Sequence, residues 1–250
     1  MVRQVPAVHH ALIFVDPITH TLAGATMARA GLDRRTPLAA ATLMLAANAP
    51  DIDIAAMFGD QNFALACRRG WTHGPLAWLL LPFVVTGIMI AWDRWVRRRR
   101  APRAVRAPAA AVLLLATAGV LSHPMLDWLN TYGIRLLMPF SDQWFRGDSV
   151  FIIDPYLWIL LAAGLFGARH VRPDVPRGRH VARAGGGAAL AYVALMITLS
   201  ALGERMGRSA AELRGLGGLT EVLYSPRPAN PLAADLVVRT AGGYHFGTLR

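Results

Sequence analysis

A chain of 250 residues that is 54% hydrophobic and only 16% charged, with a mean hydropathy of +0.37, is too apolar for an ordinary soluble domain. Its 26 basic against 15 acidic side chains give a net charge of +11. Nucleic-acid binding would explain that balance, but the excess sits in short loops between apolar runs, so nucleic acid is not the expected partner and the bilayer is. The single cysteine, Cys67, excludes an intramolecular disulfide and a zinc ribbon, and any metal site must draw on His and carboxylates.

Six apolar segments follow in chain order, roughly 17–31, 37–57, 74–92, 107–122, 150–168 and 184–203. A helix needs ~20 residues to cross a hydrocarbon core of ~30 Å, and the first and fourth segments fall short. The expected fold is all-α: a polytopic membrane helix bundle of about six apolar helices, some short or tilted. Residues 16–205 form the membrane-embedded domain, preceded by residues 1–15 and followed by a polar tail, 206–250. The opening residues lack the long apolar core of a cleavable signal peptide.

The loops "DRWVRRRRAPRAVR" (93–106) and "ARHVRPDVPRGRHVAR" (168–183) are the clearest basic clusters, and such loops stay cytoplasmic. Segments 74–92 and 150–168 then run inward. Working outward from these loops places His20, Asp51, Asp53, His73, His123, Asp127, Asp148 and Asp154 all toward the extracytoplasmic side. The charge rule used none of these residues, so their convergence supports one site independently. Ionisable groups at membrane depth are costly and are usually kept for function.

Each motif has a bland and a chemical reading. In "DPITHTLAGATMARAGL", His20 sits either as a satisfied core residue or as a ligand, and Gly24 and Ala28 below it favour close helix packing. In "NAPDID", Pro50 disfavours a helical Ala49. In an extended chain Asp51 and Asp53 point the same way and can bridge metals; if a helix restarts at Pro50 they diverge and one stabilises its N-terminus. "RRGWTHG" offers Arg68 and Arg69, suited to bidentate recognition of phosphate or carboxylate, beside His73, with Trp71 an interfacial anchor. In "SHPMLDWLN", His123 and Asp127 at i and i+4 share a helix face with Cβ atoms ~5–6 Å apart, and Asn130 extends the stripe. The alternative there is a new helix opening at Pro124, with Ser122 or His123 as its cap. Farther on, Asp154 before Pro155 reads as a helix cap, while Asp148 has no evident structural role. His9, His10, His170, His180 and His245 read as loop or tail residues.

The ordered set "DPITHTLAG", "PDID", "RGWTH", "SHPMLDWLN" and "GDSVFIIDPYLW", over about residues 16–205, resembles the bacterial inner-membrane proteins described as metal-dependent hydrolases of the YdjM type. The resemblance implies a helical enzyme of the inner membrane with a His and Asp metal site. It also implies a distant similarity to zinc-dependent phospholipase C and the P1-type nucleases, whose HxxxD ligand pair His123 and Asp127 match. His20, Asp51, Asp53 and His73 match the family's other polar positions. Relatives often read "HRGxTHS", and this chain has Arg68 and Gly74 at the His and Ser positions. The family commonly starts near "DPITH", so residues 1–14 read as an extension, with Val15 as initiator.

These readings combine into a metal-dependent hydrolase, phosphodiesterase or phospholipase C-like, that cleaves a phosphoester or phosphodiester of a lipid-like substrate. His20, Asp51, Asp53, His73, His123 and Asp127 are the expected ligands of one to three divalent ions, zinc first and manganese as the alternative. Arg68, Arg69 and Asn130 are expected at the substrate, and Arg69, Asp53 and Asp148 in catalysis. The competing expectation is a non-enzymatic metal-binding membrane protein or a transporter. An ion pathway would need polar inner helix halves, and here those read "VVTGIMIAW" and "APAAAVLLL". The tail's "ADLVVRTAGGYHFGTLR" signals a β-hairpin around Ala-Gly-Gly. A lone hairpin is marginal in water, so the tail is expected to be part of a truncated β-domain or to dock on the membrane domain.

Overall fold

The computed structural model describes residues 16–170 and 177–249, leaving out the side chains of Met57 and Gln61. The expectations for His9, His10 and the start at Val15, and the middle of the second basic loop, lie outside the described residues. Seven helices are described: α1 (Pro17–Arg29), α2 (Ala39–Asn48), α3 (Gln61–Cys67), α4 (Pro75–Arg100, its Asp93–Arg97 turn wound as a π-helix), α5 (Ala109–Trp128), α6 (Pro155–Arg169) and α7 (Arg177–Leu213). A sheet of β1 (Leu219–Arg227), β2 (Asn230–Thr240) and β3 (Gly243–Leu249) closes the described chain.

Among the described residues, α4, α5 and α7 are long and apolar enough to cross a membrane and α6 is a shorter apolar helix, so three candidate spans stand where about six apolar helices, some of them short, were expected. The chain's own punctuation explains the difference. α1 ends after 13 residues, just before Gly31 at φ 136°, and α2 ends after 10, where Pro50 tightens the backbone. Helices this short suit a position enclosed by protein rather than by lipid. Accordingly Leu43, Ala46 and Ala47 of α2 are fully buried. The outward residues of α4, by contrast, leave Leu79, Leu80, Phe83 and Ile88 more than half exposed, as a lipid-facing surface requires.

α5 is longer than the sequence suggested. Pro124 lies inside it, so neither Ser122 nor His123 caps a new helix; the Ser122 hydroxyl instead donates to the Gly119 carbonyl at 2.7 Å. Membrane helices tolerate an internal proline because such side-chain bonds and neighbouring helices satisfy the local polar groups. Residues 49–58 form a 3₁₀-helix, and Ala49 is helical at φ −61°, so the break at Pro50 changes the winding without extending the chain.

Two close backbone contacts set the depth of the site. A Cβ on Gly24 of α1 would lie 2.8 Å from the Leu43 carbonyl oxygen, and one on Gly119 of α5 would lie 3.0 Å from the same oxygen. Both helices therefore pack backbone-close on α2 at Leu43, as the small-residue spacing below His20 suggested for α1. His20 stands one turn before Gly24 and His123 one turn after Gly119. Because the two helices run in opposite directions, the two imidazoles emerge at one level.

The tail is a three-stranded antiparallel sheet ordered β1-β2-β3, with β2 and β3 the hairpin read from the sequence and β1 an added strand. It packs on the C-terminal part of α7: Val222, Tyr224, Ala234, Leu236 and Val238 form a core with Ala211 of that helix. Gly203 and Gly207 of α7 leave the room that Tyr224 and Val222 fill. His180 lies exposed on α7, in a helix and not in a loop, and His245 lies on β3.

Candidate metal centre

Asp51, His73, His123 and Asp127 each offer a ligand atom, and the four atoms lie within 4.8 Å of one another. The two imidazole Nε2 atoms face each other at 3.1 Å. Each stands 3.4 Å from Asp127 Oδ2, while Asp51 Oδ1 is 3.7 Å from His123 Nε2 and 4.0 Å from His73 Nε2. A tetrahedral ion with bonds of ~2.0–2.2 Å holds its ligand atoms ~3.4 Å apart. The two imidazole nitrogens and Asp127 Oδ2 therefore have close to the spacing of ligands on one ion, with Asp51 set somewhat wider as the fourth donor.

The hydrogen bonds around the ligands support that reading. His123 Nδ1 lies 2.6 Å from the Ala47 carbonyl, to which an Nδ1–H donates, so the ring turns its Nε2 toward the cluster. His73 Nδ1 contacts the Thr72 hydroxyl at 2.9 Å and Asp53 Oδ2 at 3.8 Å, which likewise directs its Nε2 inward. Asp127 Oδ2 and Asp51 Oδ2 are buried and accept no hydrogen bond. Orphaned carboxylate oxygens beside two facing imidazole nitrogens are costly unless a cation lies among them. Two His and two Asp residues are thus a donor set that fits a divalent ion, and the cluster can hold one.

His20 and Asp53 flank these four. His20 stacks on His123 at 3.9 Å between ring centroids, and its Nε2 is 3.4 Å from Asp127 Oδ1, the oxygen turned away from the cluster. Asp53 accepts from Arg68 Nη1 at 2.9 Å and from the Arg69 backbone N–H at 2.6 Å. The 3₁₀ winding, three residues per turn, separates Asp51 from Asp53 by a third of a turn. Of the two sequence alternatives the diverging one holds: Asp51 faces the cluster, and Asp53 faces the arginine loop.

The expected substrate-binding arginines are engaged with the site's own carboxylates. Arg69 is buried with a left-handed backbone (φ 47°); its Nη2 is 3.2 Å from Asp127 Oδ1, and its Nη1 donates to Asn130 Oδ1 at 2.9 Å and to the Gly133 carbonyl at 3.1 Å. Asn130 Oδ1 also accepts from the Tyr132 and Gly133 N–H groups, so Asn130 orients Arg69 and the loop after α5. Gly74 marks a second local constraint: a Cβ there would fall 2.1 Å from the Met138 carbonyl oxygen, leaving no room for a side chain.

Asp148 stands apart. Its backbone is left-handed (φ 44°), its described charged neighbours are Arg146, Glu204 and Glu221, and its carbonyl accepts from Ser200. Burial, reinforced by Glu204 and Glu221 and opposed by Arg146, pushes its carboxyl up to about 6. Asp154 caps α6 as expected, accepting from the Tyr156 and Leu157 N–H groups, and it also accepts from the Tyr192 hydroxyl at 2.7 Å.

Two structural residues escaped the sequence reading. Asp16 caps α1 and accepts from the Thr19 hydroxyl and, at 3.3 Å, from the Trp158 indole. Arg135 donates to the Ala66 and Arg68 carbonyls at 2.6 and 2.7 Å, holding the end of α3 and the arginine loop. A lone guanidinium between Ile134 and Leu136 was the signal available for it. A polar hollow of about 20 Å³ lies beside the cluster, lined by Asp16, His20, Arg69, Asp127, Asn130 and Asp154 among others, and has room for about one water.

No curated protein and no solved structure matches the chain, and the expected similarity to phospholipase C and the P1-type nucleases is not shown. The model of the family described as YdjM inner membrane protein matches residues 15–206, a span that holds all seven helices up to the outer turns of α7 and every member of the metal cluster. The apolar spans, the ordered polar motifs and this match agree: the chain belongs to the YdjM inner membrane protein family.

Proposed function

We propose that the chain is a multi-pass, membrane-embedded hydrolase that uses a divalent metal, zinc by preference, to cleave a phosphoester or phosphodiester of a lipid-like substrate. The observation that carries this reading is the convergence of Asp51, His73, His123 and Asp127, whose ligand atoms lie within 4.8 Å of one another, in a chain with helices apolar enough to lie in a bilayer. A metal ion there supplies Lewis acidity that makes hydroxide available from water near neutral pH. Two imidazoles favour zinc, with manganese next.

The chain's own residues prepare the site. Ala47 fixes the His123 tautomer, and Asp53 and Thr72 orient His73. Arg69 holds Asp127 Oδ1, which leaves Oδ2 for the ion. Arg68 and Arg69 balance the clustered carboxylates, and the hollow beside Asp127 has room for about one water. By the loop charges the site opens toward the extracytoplasmic side.

One observation favours a second reading, a metal-binding membrane protein without catalysis. Both arginines are bound to carboxylates of the site, and the hollow is sized for water alone. Metal analysis of the detergent-purified protein, coupled to a phospholipid and phosphodiester panel, separates the two. Stoichiometric zinc and metal-dependent hydrolysis, both lost in His123→Ala and Asp127→Ala, support the hydrolase. Metal without turnover supports the scaffold, and absence of transition metal from the wild type refutes both.

A further inference from the structure

Two apolar hollows run along the face between α5 and α7, one of about 630 Å³ and one of about 470 Å³. Each is of the size that takes a small-molecule ligand, ~300–1,000 Å³. Met125, Leu126, Leu190 and Val193 line both, so they form one continuous cleft. Its walls are almost wholly apolar, and α5 and α7 are both candidate membrane spans, so the cleft opens to acyl chains rather than to water.

The cleft also adjoins the metal centre. Leu126 lines both apolar hollows and the polar one, and Leu129 and Leu157 each border the polar hollow and one apolar hollow. The residue after Leu126 is Asp127. An apolar channel ending in a wall one side chain thick, beyond which lie His20, Arg69 and Asp127, matches an amphiphile: a chain in the cleft and a polar head at the wall. Along α7 the lining runs from Ile197 through Val193 to Arg183, and the ten residues from Val193 to Arg183 alone span ~15 Å, much of one leaflet.

We propose that the substrate is a membrane lipid that enters sideways from the bilayer, its acyl chain in the α5–α7 cleft and its head brought to the metal centre past Leu126. This rests on the hydrolase reading and names the source of its substrate. The polar hollow holds about one water, so the head reaches the ion only when Leu126 and Leu129 swing aside.

Met125 and Leu190 are 70% and 72% exposed, so Met125→Trp and Leu190→Trp fill the cleft without displacing core. The protein is reconstituted in phosphatidylglycerol nanodiscs with a trace of the same lipid carrying a diazirine in its acyl chain, and adducts are mapped after illumination. Outward-facing Leu79 and Phe83 of α4 report ordinary boundary lipid. Adducts on Leu126, Leu129 and Val193 should exceed those on α4 several-fold in the wild type and fall to the α4 level in the double variant. The variant should keep its metal and its hydrolysis of soluble bis(p-nitrophenyl) phosphate while losing turnover of the long-chain lipid. Equal adducts on α4 and the cleft in the wild type, or unchanged lipid turnover in the variant, overturn the proposal. Loss of all hydrolysis in the wild type with the adduct pattern intact sinks the hydrolase reading and leaves a lipid-binding cleft.

Discussion

Gly119→Ala distinguishes a helix held by its neighbours from one held by its own propensity. In an isolated helix the change is favourable by ~0.8–1 kcal/mol. Here the new Cβ would sit 2.6 Å from Ala46 Cβ and 3.0 Å from the Leu43 carbonyl oxygen. Carbon atoms rest ~3.5–4.0 Å apart, so α5 must retreat from α2 by about 1 Å. Moved by that much, His123 Nδ1 loses its 2.6 Å contact with the Ala47 carbonyl, because hydrogen bonds fail beyond about 3.5 Å. Overpacking costs ~1–3 kcal/mol and the lost bond ~1 kcal/mol, against the propensity gain. The net is a loss of about 1–3 kcal/mol, or roughly 2–12 °C in Tm for a chain of this size. The assay is thermal unfolding in detergent, with and without added zinc, alongside metal content. Zinc should stabilise the wild type more than the variant, since the variant's ligand is misaimed. A Tm that rises with unchanged metal content would refute the packing account.

Two further outcomes follow from the buried charges. Arg69→Lys keeps the charge but cannot hold Asp127, Asn130 and Gly133 together, and disrupting a buried pair costs up to ~3–5 kcal/mol. The variant should unfold at lower temperature and bind less metal, and wild-type values for both would contradict the role given to Arg69. For Asp148, the folded carboxyl titrates at about 6 against an ordinary 3.8. The unfolded chain therefore gives up its proton first, and stability contributed by this group falls as pH rises from about 4 to about 6. Asp148→Asn, which tolerates the same left-handed backbone, should raise Tm near pH 7 and make little difference near pH 4. A Tm difference of equal size at both pH values would show that the titration does not act on folding.

The loop charges and polar motifs made a membrane bundle with one His and Asp site legible, because positive-inside bias and i,i+4 spacing are properties of local sequence. His123 and Asp127 share a face for that reason alone. Hydropathy does not mark where a helix stops, so the segment 37–57 read as long enough to span, whereas α2 ends after 10 residues. The division of labour between Asp51 and Asp53 needed the 3₁₀ winding that Pro50 permits but does not announce. The arginines read as anion receptors because the carboxylates that claim them lie 15 and 58 positions away in the chain. β1 and the docking of the sheet depended on a partner surface on α7.

The sequence by itself therefore determined the family to which the order of its polar motifs belongs, the apolar surroundings of those motifs, and a short set of His and Asp residues from which a cluster could be built. Tertiary structure decided which of them meet. Gly24 and Gly119 both close on the Leu43 backbone, and that shared contact, rather than any motif, brings His20 and His123 to one level and delivers His73 and Asp51 to the same few ångströms. Backbone proximity of that kind is written in residues without side chains, whose partners only the folded chain reveals.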